Sequence, residues 1–371
     1  MIYIKIGIFH WNSDKKIGGG EVLAAEIGKA LGEPVYSVVS GKNPLGFVDI
    51  SDRLSPMVKT VRGIRSLDYL TWSSFDPSDV GDFDLILTLG STTRAMIVPE
   101  GVPMVNICFS TPRWLYDIYH YRKDKFGSLK DLIVPVAEVL RTWDQAVDKR
   151  CDYYISISPV IQRRLWKYMK RESDILYPPI YCSKYQNKSS AGYFLFLSRL
   201  EMEKRPEEAI QACINANVEL VVAGVGSMEK KLRKKYGNYE NIRFTGYVTE
   251  SRKIDLLARC NGLIFPALAE DFGIVPIEAL ASGKPVICSG GFPKILISDK
   301  YGIDTDGTTS GIENAIIQLS TKEYDPDELM ACAKQFDFPM FKKRLVDLLE
   351  MYKQEFDTKF NGCCIAAKGG K

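Results

Sequence analysis

Histidine is nearly absent from this chain: His10 and His120 are the only two in 371 residues. The nine cysteines include no Cys-x-x-Cys pair, so a zinc site has no ligand set to draw on and no metal is expected. Apart from Cys363-Cys364 the cysteines are scattered, which fits a reducing interior. An excess of one charge is also lacking. Lys and Arg total 49 against 46 Asp and Glu, and the net charge of +3 makes no case for nucleic acid. No apolar run reaches the length of a membrane span. The N-terminus opens on Tyr3-Ile4-Lys5-Ile6-Gly7-Ile8-Phe9, too short and too charged for a signal peptide. These absences lead to the expectation of a cytoplasmic protein, soluble or peripheral on the inner face of a membrane.

What is present suits two domains, each with a core: hydrophobic residues make up 46% and charged ones 26%. A strand at 2–9 ends at His10-Trp11, Gly18-Gly19-Gly20-Glu21 forms a glycine loop, and Val22 to Leu31 has helical apolar spacing. That is the first unit of a doubly wound sheet, with ligands expected at the strands' carboxyl ends. The full GxGxxG fingerprint is missing, so a dinucleotide is not indicated. Further strands are read at 35–39, 84–89, 103–108, 152–158 and 175–180. Between the first two of these, Lys59, Arg62 and Arg65 with Val61, Ile64 and Leu67 suggest a basic, partly apolar surface. A helix from Val160 to Met169 carries Arg163, Arg164 and Lys167 with Trp166 and Tyr168. It reads as a solvated face with its aromatics packed inward, with adsorption to an anionic membrane as the alternative. Residues 181–192 are polar and patternless, as in a linker. A second α/β domain follows at 193–337, then an amphipathic helix at 338–356 and a frayed tail at 357–371.

The most informative stretch is 261–285. Leu263-Ile264-Phe265 closed by Pro266 reads as a buried strand end, Glu270-Asp271-Phe272-Gly273 as a loop, and Ile274 to Leu280 as a helix with Pro276 in its first turn. A helix N-terminus and loop amides suit a diphosphate, Gly273 permits close backbone approach, and Glu270 and Glu278 could each accept from vicinal hydroxyls. On spacing alone the two glutamates read more readily as solvated charges. Arg199 and Lys204 straddle another strand-end loop, where they could clamp a diphosphate or simply lie at the surface.

Glu270 and Glu278, enclosing Phe272-Gly273 and followed by Ala279-Leu280-Ala281-Ser282-Gly283-Lys284-Pro285-Val286, resemble the donor motif of glycosyltransferase family 4. Cys108-Phe109-Ser110-Thr111-Pro112-Arg113-Trp114-Leu115-Tyr116-Asp117 is similar to a segment of its mannosyltransferase-like branch. So are Trp143-Asp144, Asp152-Tyr153-Tyr154 and Ser156-Ile157-Ser158-Pro159. The resemblance implies an α/β protein of GT-B fold: two Rossmann-like doubly wound domains facing a central cleft, residues 1–180 and 193–337, with the last helix crossing back to the first. It implies a retaining, metal-independent enzyme moving a hexose, mannose or glucose, from a GDP- or UDP-linked sugar to a saccharide acceptor, lipid-linked by analogy, in glycan assembly. Glu270 would hold the sugar, and Arg199 and Lys204 the leaving diphosphate. Glu278 would take the ribose, while Asp271, Phe272, Gly273 and Ile274 line the donor and Gly246 and Val248 hold the base. Gly18, Gly19, Glu21, His10 and Arg113 would serve the acceptor side. Arg113 equally suits a structural ion pair with Asp117 four residues on. Two positions depart from the pattern: Phe109 stands where the family often has His, and Lys294 where it usually has Glu. A sugar-nucleotide-binding protein without transfer activity and a sugar-nucleotide epimerase are the alternatives; the latter would want catalytic acids and a histidine in the cleft.

Overall fold

A computed structural model describes residues 4–11, 18–39, 43–54, 58, 68–120, 133–268, 270–291 and 300–368, the main chain alone for 133 and 363–368. Lys59, Arg62, Arg65 and Lys294 lie outside the described residues. The chain forms two compact units, Met1–Tyr177 with Phe341–Lys371, and Pro178–Met340.

The first unit holds a seven-stranded sheet in the order β3-β2-β1-β4-β5-β6-β7. Its strands are β1 (Ile6–His10), β2 (Val35–Ser37), β3 (Val48–Asp49), β4 (Leu85–Leu89), β5 (Met104–Cys108), β6 (Tyr153–Ser156) and β7 (Asp174–Ile175), every pairing parallel. Central strands of such a sheet are covered on both faces and so read as unbroken apolar runs. Leu85 to Leu89 is buried throughout. Phe9 anchors the core, stacked on Tyr36 at 5.4 Å and edge-on to Trp72 and Phe83 at 6.3 and 6.0 Å. The strand expected over 175–180 pairs only at 174–175, because Pro178 and Pro179 have no N–H to offer a ladder.

Helices α1 (Gly19–Leu31), α2 (Asp68–Ser73), α3 (Ile133–Asp148) and α4 (Pro159–Met169) accompany this sheet. The expected glycine loop is shorter than foreseen, since Gly19 and Gly20 form the first turn of α1. Glu21 explains the early start: its carboxylate accepts the Gly18 N–H at 2.8 Å and so caps the helix from within. On α4, Ser158 caps Ile161 as expected, and Tyr168 stacks inward on Tyr116 at 4.7 Å. Trp166 corrects the inward reading of the aromatics. It is 57% exposed, beneath the Lys170 ammonium at 4.6 Å, on a face shared with Arg163 and Lys167.

Two buried polar features mark this unit. The Arg94 guanidinium, 3% exposed, pairs with Asp144 and with Asp148 at 2.8 Å. Tyr69 and Tyr116 donate to Asp144 at 2.6 and 2.9 Å, and Tyr154 to Asp148 at 2.6 Å. His10, in contrast, is fully buried and neither ring nitrogen has a hydrogen-bond partner among the described residues.

The second unit repeats the order, β10-β9-β8-β11-β12-β13. Its strands are β8 (Tyr193–Leu197), β9 (Glu219–Ala223), β10 (Ile242–Gly246), β11 (Gly262–Phe265), β12 (Val286–Cys288) and β13 (Gly302–Asp304), again all parallel. Helices α5 (Pro206–Asn215), α6 (Glu229–Tyr236), α7 (Glu250–Arg259), α8 (Ile274–Ala281), α9 (Thr309–Thr321) and α10 (Pro326–Ala333) complete it. Phe194, Phe196 and Ile264 of the strands pack with Ile210 of α5, Tyr236 of α6 and Ile316 of α9.

Residues 181–192 are not the free linker their polarity suggested. The Lys188 and Ala191 amides donate to the Ala258 and Arg259 carbonyls at 3.0 and 2.9 Å, and the Lys284 ammonium to the Lys188 carbonyl at 3.0 Å. At the unit's edge, Ile180 exchanges backbone bonds with Phe336 and Phe338, both 2.9 Å, and Tyr181 stacks on Phe338 at 5.2 Å.

Helix α11 (Phe338–Lys368) leaves this unit and from Phe341 on belongs to the first. There Tyr352 stacks on Tyr153 at 4.5 Å and donates to Asp174 at 2.7 Å. The expected tail after 356 is helix to Lys368. The pairs Lys353–Asp357 at 2.6 Å, Glu355–Lys359 and Phe356–Phe360 at 5.8 Å carry it across that point. No described helix is long and apolar enough to cross a membrane.

Two outcomes follow. Arg94→Met strands two buried carboxylates and should lower stability in denaturant by about 3–5 kcal/mol. Burial pushes the His10 imidazole from 6.5 down to about 3, so below pH 6.5 the unfolded chain takes the proton first and stability falls with pH. Between pH 6.5 and pH 5 this amounts to about 2 kcal/mol, a sensitivity that His10→Phe should remove when melting curves are compared.

Candidate functional site

In both sheets the strand order reverses beside the first strand, between β1 and β4 and between β8 and β11. Such switch points open crevices outside the carboxyl ends of the strands. In the second unit the loops after β8 and β11 meet there. Lys204, in a short 3-10 turn (Met202–Lys204), pairs its ammonium with Glu270, and both side chains remain partly open at 14% and 20%. Arg199, on the same loop after β8, is exposed and forms no ion pair among the described residues. The turn after β9 packs flat on this loop: a Cβ on Gly224 would lie 1.9 Å from the Ser198 carbonyl oxygen, which only glycine tolerates.

After β11, Leu268 donates to the Glu203 carbonyl at 2.8 Å, tying the two loops together. Asp271 is half-buried, and Phe272 packs edge-on against Phe336 at 6.0 Å. Gly273 adopts a left-handed conformation (φ 80°) as N-cap of α8, and no side chain caps the helix. With Pro276 lacking an N–H, the amides of Gly273, Ile274 and Val275 are those the helix leaves for a ligand. Gly246 (φ 70°) accepts the Gly224 N–H at 2.8 Å, and half-buried Val248 follows two residues on.

Glu278 sits inside the wall of this region, 5% exposed. Its Oε1 accepts from the Tyr185 hydroxyl at 2.7 Å and the Lys253 ammonium at 2.6 Å, while buried Oε2 has no partner among the described residues. Sequence reasoning missed Tyr185 and Lys253, because no spacing rule joins positions 185, 253 and 278. Ser282-Gly283-Lys284-Pro285 is structural at its lysine: Lys284 is buried, burial pushes its ammonium down, and it is spent on the Lys188 carbonyl.

The first unit's candidates gather less openly. His10, closing β1, lies among Trp11, Phe47 and Phe109 at 5.1, 5.6 and 6.2 Å, walled off rather than lining a surface. Glu21, 8% exposed, is engaged with Gly18 and accepts the Trp11 indole N–H at 3.3 Å. Gly18 and Gly19 are exposed, with open space beside Gly19. Arg113 forms the ion pair with Asp117 at 3.0 Å, and Arg164 shares that carboxylate at 3.3 Å. Among the described residues no three of His, Cys, Asp and Glu gather as metal ligands.

Residues 182–335, within the second unit, match the family described as glycosyl transferases group 1. An uncharacterized glycosyltransferase of Methanocaldococcus jannaschii is 22% identical over 212 residues, 56% of this chain and 60% of the relative. A phosphatidyl-myo-inositol mannosyltransferase of Mycobacterium leprae is 23% identical over 318 residues, 70% and 83% of the two chains. The chain spans only 60%, 37% and 30% of the first three curated relatives it matches. Among solved structures, the lipopolysaccharide outer core galactosyltransferase WaaB superposes with a TM-score of 0.68 at 14% identity, over 93% of this chain and 99% of that one. HepE of Anabaena, in complex with UDP and glucose, gives 0.65 at 16%, over 94% and 100%. At these identities the likeness is one of fold. Residues 182–335 thus carry the match to glycosyl transferases group 1, and the chain has the GT-B fold of these solved structures.

Proposed function

We propose that the protein is a retaining, metal-independent hexosyltransferase that moves mannose or glucose from a GDP- or UDP-linked sugar to a saccharide acceptor in glycan assembly. The observation that carries this reading is the meeting of Lys204 and Glu270 at the switch point, beside the uncapped N-terminus of α8. A cation, a carboxylate and outward amides are the parts a sugar diphosphate needs. Lys204, Arg199 and the 273–275 amides stabilise the departing diphosphate, where one preorganised donor contributes about 3–4 kcal/mol of barrier lowering. Glu270 accepts from sugar hydroxyls, Glu278 from the ribose, and Gly246 and Val248 present backbone to the base. Asp271 and Phe272 hold the loop between them. On the acceptor side, exposed Gly18 and Gly19 offer backbone, with Glu21, His10 and Arg113 supporting from within. Relatives named as mannosyltransferases support the mannosyl reading, and a neighbour solved with UDP and glucose keeps UDP-glucose beside it.

A lipid-linked acceptor also belongs to this reading. The outer face of α4, with Arg163, Trp166, Lys167 and Lys170, combines cations with an exposed indole, the composition of an anionic membrane surface contact.

In a thermal-shift series with GDP, UDP and their mannose and glucose conjugates, one base should stabilise the protein, since stabilisation tracks ligand concentration over Kd. Glu270→Ala should abolish transfer and EDTA leave it intact; no shift with any nucleotide, or activity lost to EDTA, overturns the reading. Co-sedimentation with phosphatidylglycerol vesicles should exceed that with phosphatidylcholine and drop in Trp166→Ala, whereas equal binding to both removes the membrane contact.

A further inference from the structure

We propose that Tyr185 and Lys253 are positioning residues of the nucleotide site, holding one oxygen of Glu278 so that the other stays free for a ribose hydroxyl. The proposal rests on reading the second unit as the binder of a nucleotide sugar, and adds two residues from outside the donor motif.

A carboxylate is acceptor-only and takes bonds at both oxygens. In Glu278 the distribution is one-sided: Oε1 receives the Tyr185 hydroxyl at 2.7 Å and the Lys253 ammonium at 2.6 Å. Oε2 is buried and receives nothing from the described residues. Buried polar atoms are seldom left so, because an unmade bond to a charged group is expensive. Turning the carboxylate to share its partners would break two charge-assisted bonds at once, so the free oxygen has a fixed direction.

The two donors are kept in their donating forms. Burial, then the neighbouring Glu278 charge, raises the Tyr185 phenol well above its ordinary range, so it stays protonated. Burial works against the Lys253 ammonium, but Glu278 and Glu250, the latter at 3.0 Å, outweigh it and raise its pKa. Lys253 stands between the Glu278 and Glu250 carboxylates, so the cluster holds one more carboxylate than ammonium. An oxygen so placed selects a neutral donor, such as one hydroxyl of a vicinal diol, and disfavours phosphate. The three parts come from distant segments: Tyr185 from the stretch pinned along the second unit, Lys253 from α7, and Glu278 from α8.

The test measures binding of GDP and UDP, and of their 2′,3′-dideoxy counterparts, to the full chain by calorimetry. The wild type should prefer the ribonucleotide by about tenfold or more, as for a hydrogen bond to a charged group. Glu278→Ala should erase that preference. Tyr185→Phe and Lys253→Met should each reduce it to about threefold or less, Lys253→Arg should restore it, and binding of the dideoxynucleotides should stay at the wild-type level throughout. Adding Tyr185→Phe to Glu278→Ala should change the preference no further. If Tyr185→Phe does not fold, the two Lys253 variants carry the same test. A full preference retained in Tyr185→Phe and Lys253→Met overturns the positioning role while leaving Glu278 in place. No preference in the wild type overturns the ribose reading itself.

Discussion

Parallel pairing with a single reversal of strand order is the constraint on which everything else here rests. A parallel sheet covered on both faces buries β1, β4, β5 and β8 along their whole length, so a polar side chain there, such as Asn106 beside Thr88, is spent on bonds within the sheet. Polar chemistry is therefore expelled to the loops at the strand ends. The register of β8 on β11, with Gly262 opposite Phe194 and Leu263 opposite Leu195, then brings the loop after one strand against the loop after the other. Lys204 and Glu270, 66 residues apart, meet because their strands are neighbours.

The same side-chain chemistry is used in two ways within the chain. In the first unit the Arg94 guanidinium and the Asp144 and Asp148 carboxylates are closed in by tyrosine hydroxyls, a network whose members answer one another. A buried network of this kind specifies packing, since removing any member leaves a charge without compensation. In the second unit charges are left incomplete. Lys204 and Glu270 stay partly open, and Glu278 is satisfied on one oxygen only.

The second unit also ties its own margins to its site. Ile180 pairs with the 336–338 segment, Phe336 packs on Phe272 of the loop before α8, and Tyr185 reaches Glu278. The residues next to both unit boundaries thus touch the elements that carry Phe272 and Glu278. A segment that reads as a tether in composition is bonded to α7 and α8.

Local sequence determined the elements. Unbroken apolar runs such as Tyr193–Leu197, the Ser158-Pro159 start of α4, the glycine before α8 and the Phe341–Tyr352 stripe of α11 were all legible, because caps, breakers and periodicity act over a few residues. The strand, loop and helix that carry Glu270 and Glu278 were legible for the same reason. Tertiary structure alone decided what depends on distant neighbours. The polar segment 181–192 is ordered by backbone bonds to α7 that composition does not encode. Trp166 points outward because Tyr168, two residues on, takes the inward place against Tyr116. Tyr185, Lys253 and Glu278 converge only after the chain has closed on itself, and a side chain's partners across such distances follow from packing, which no local pattern carries.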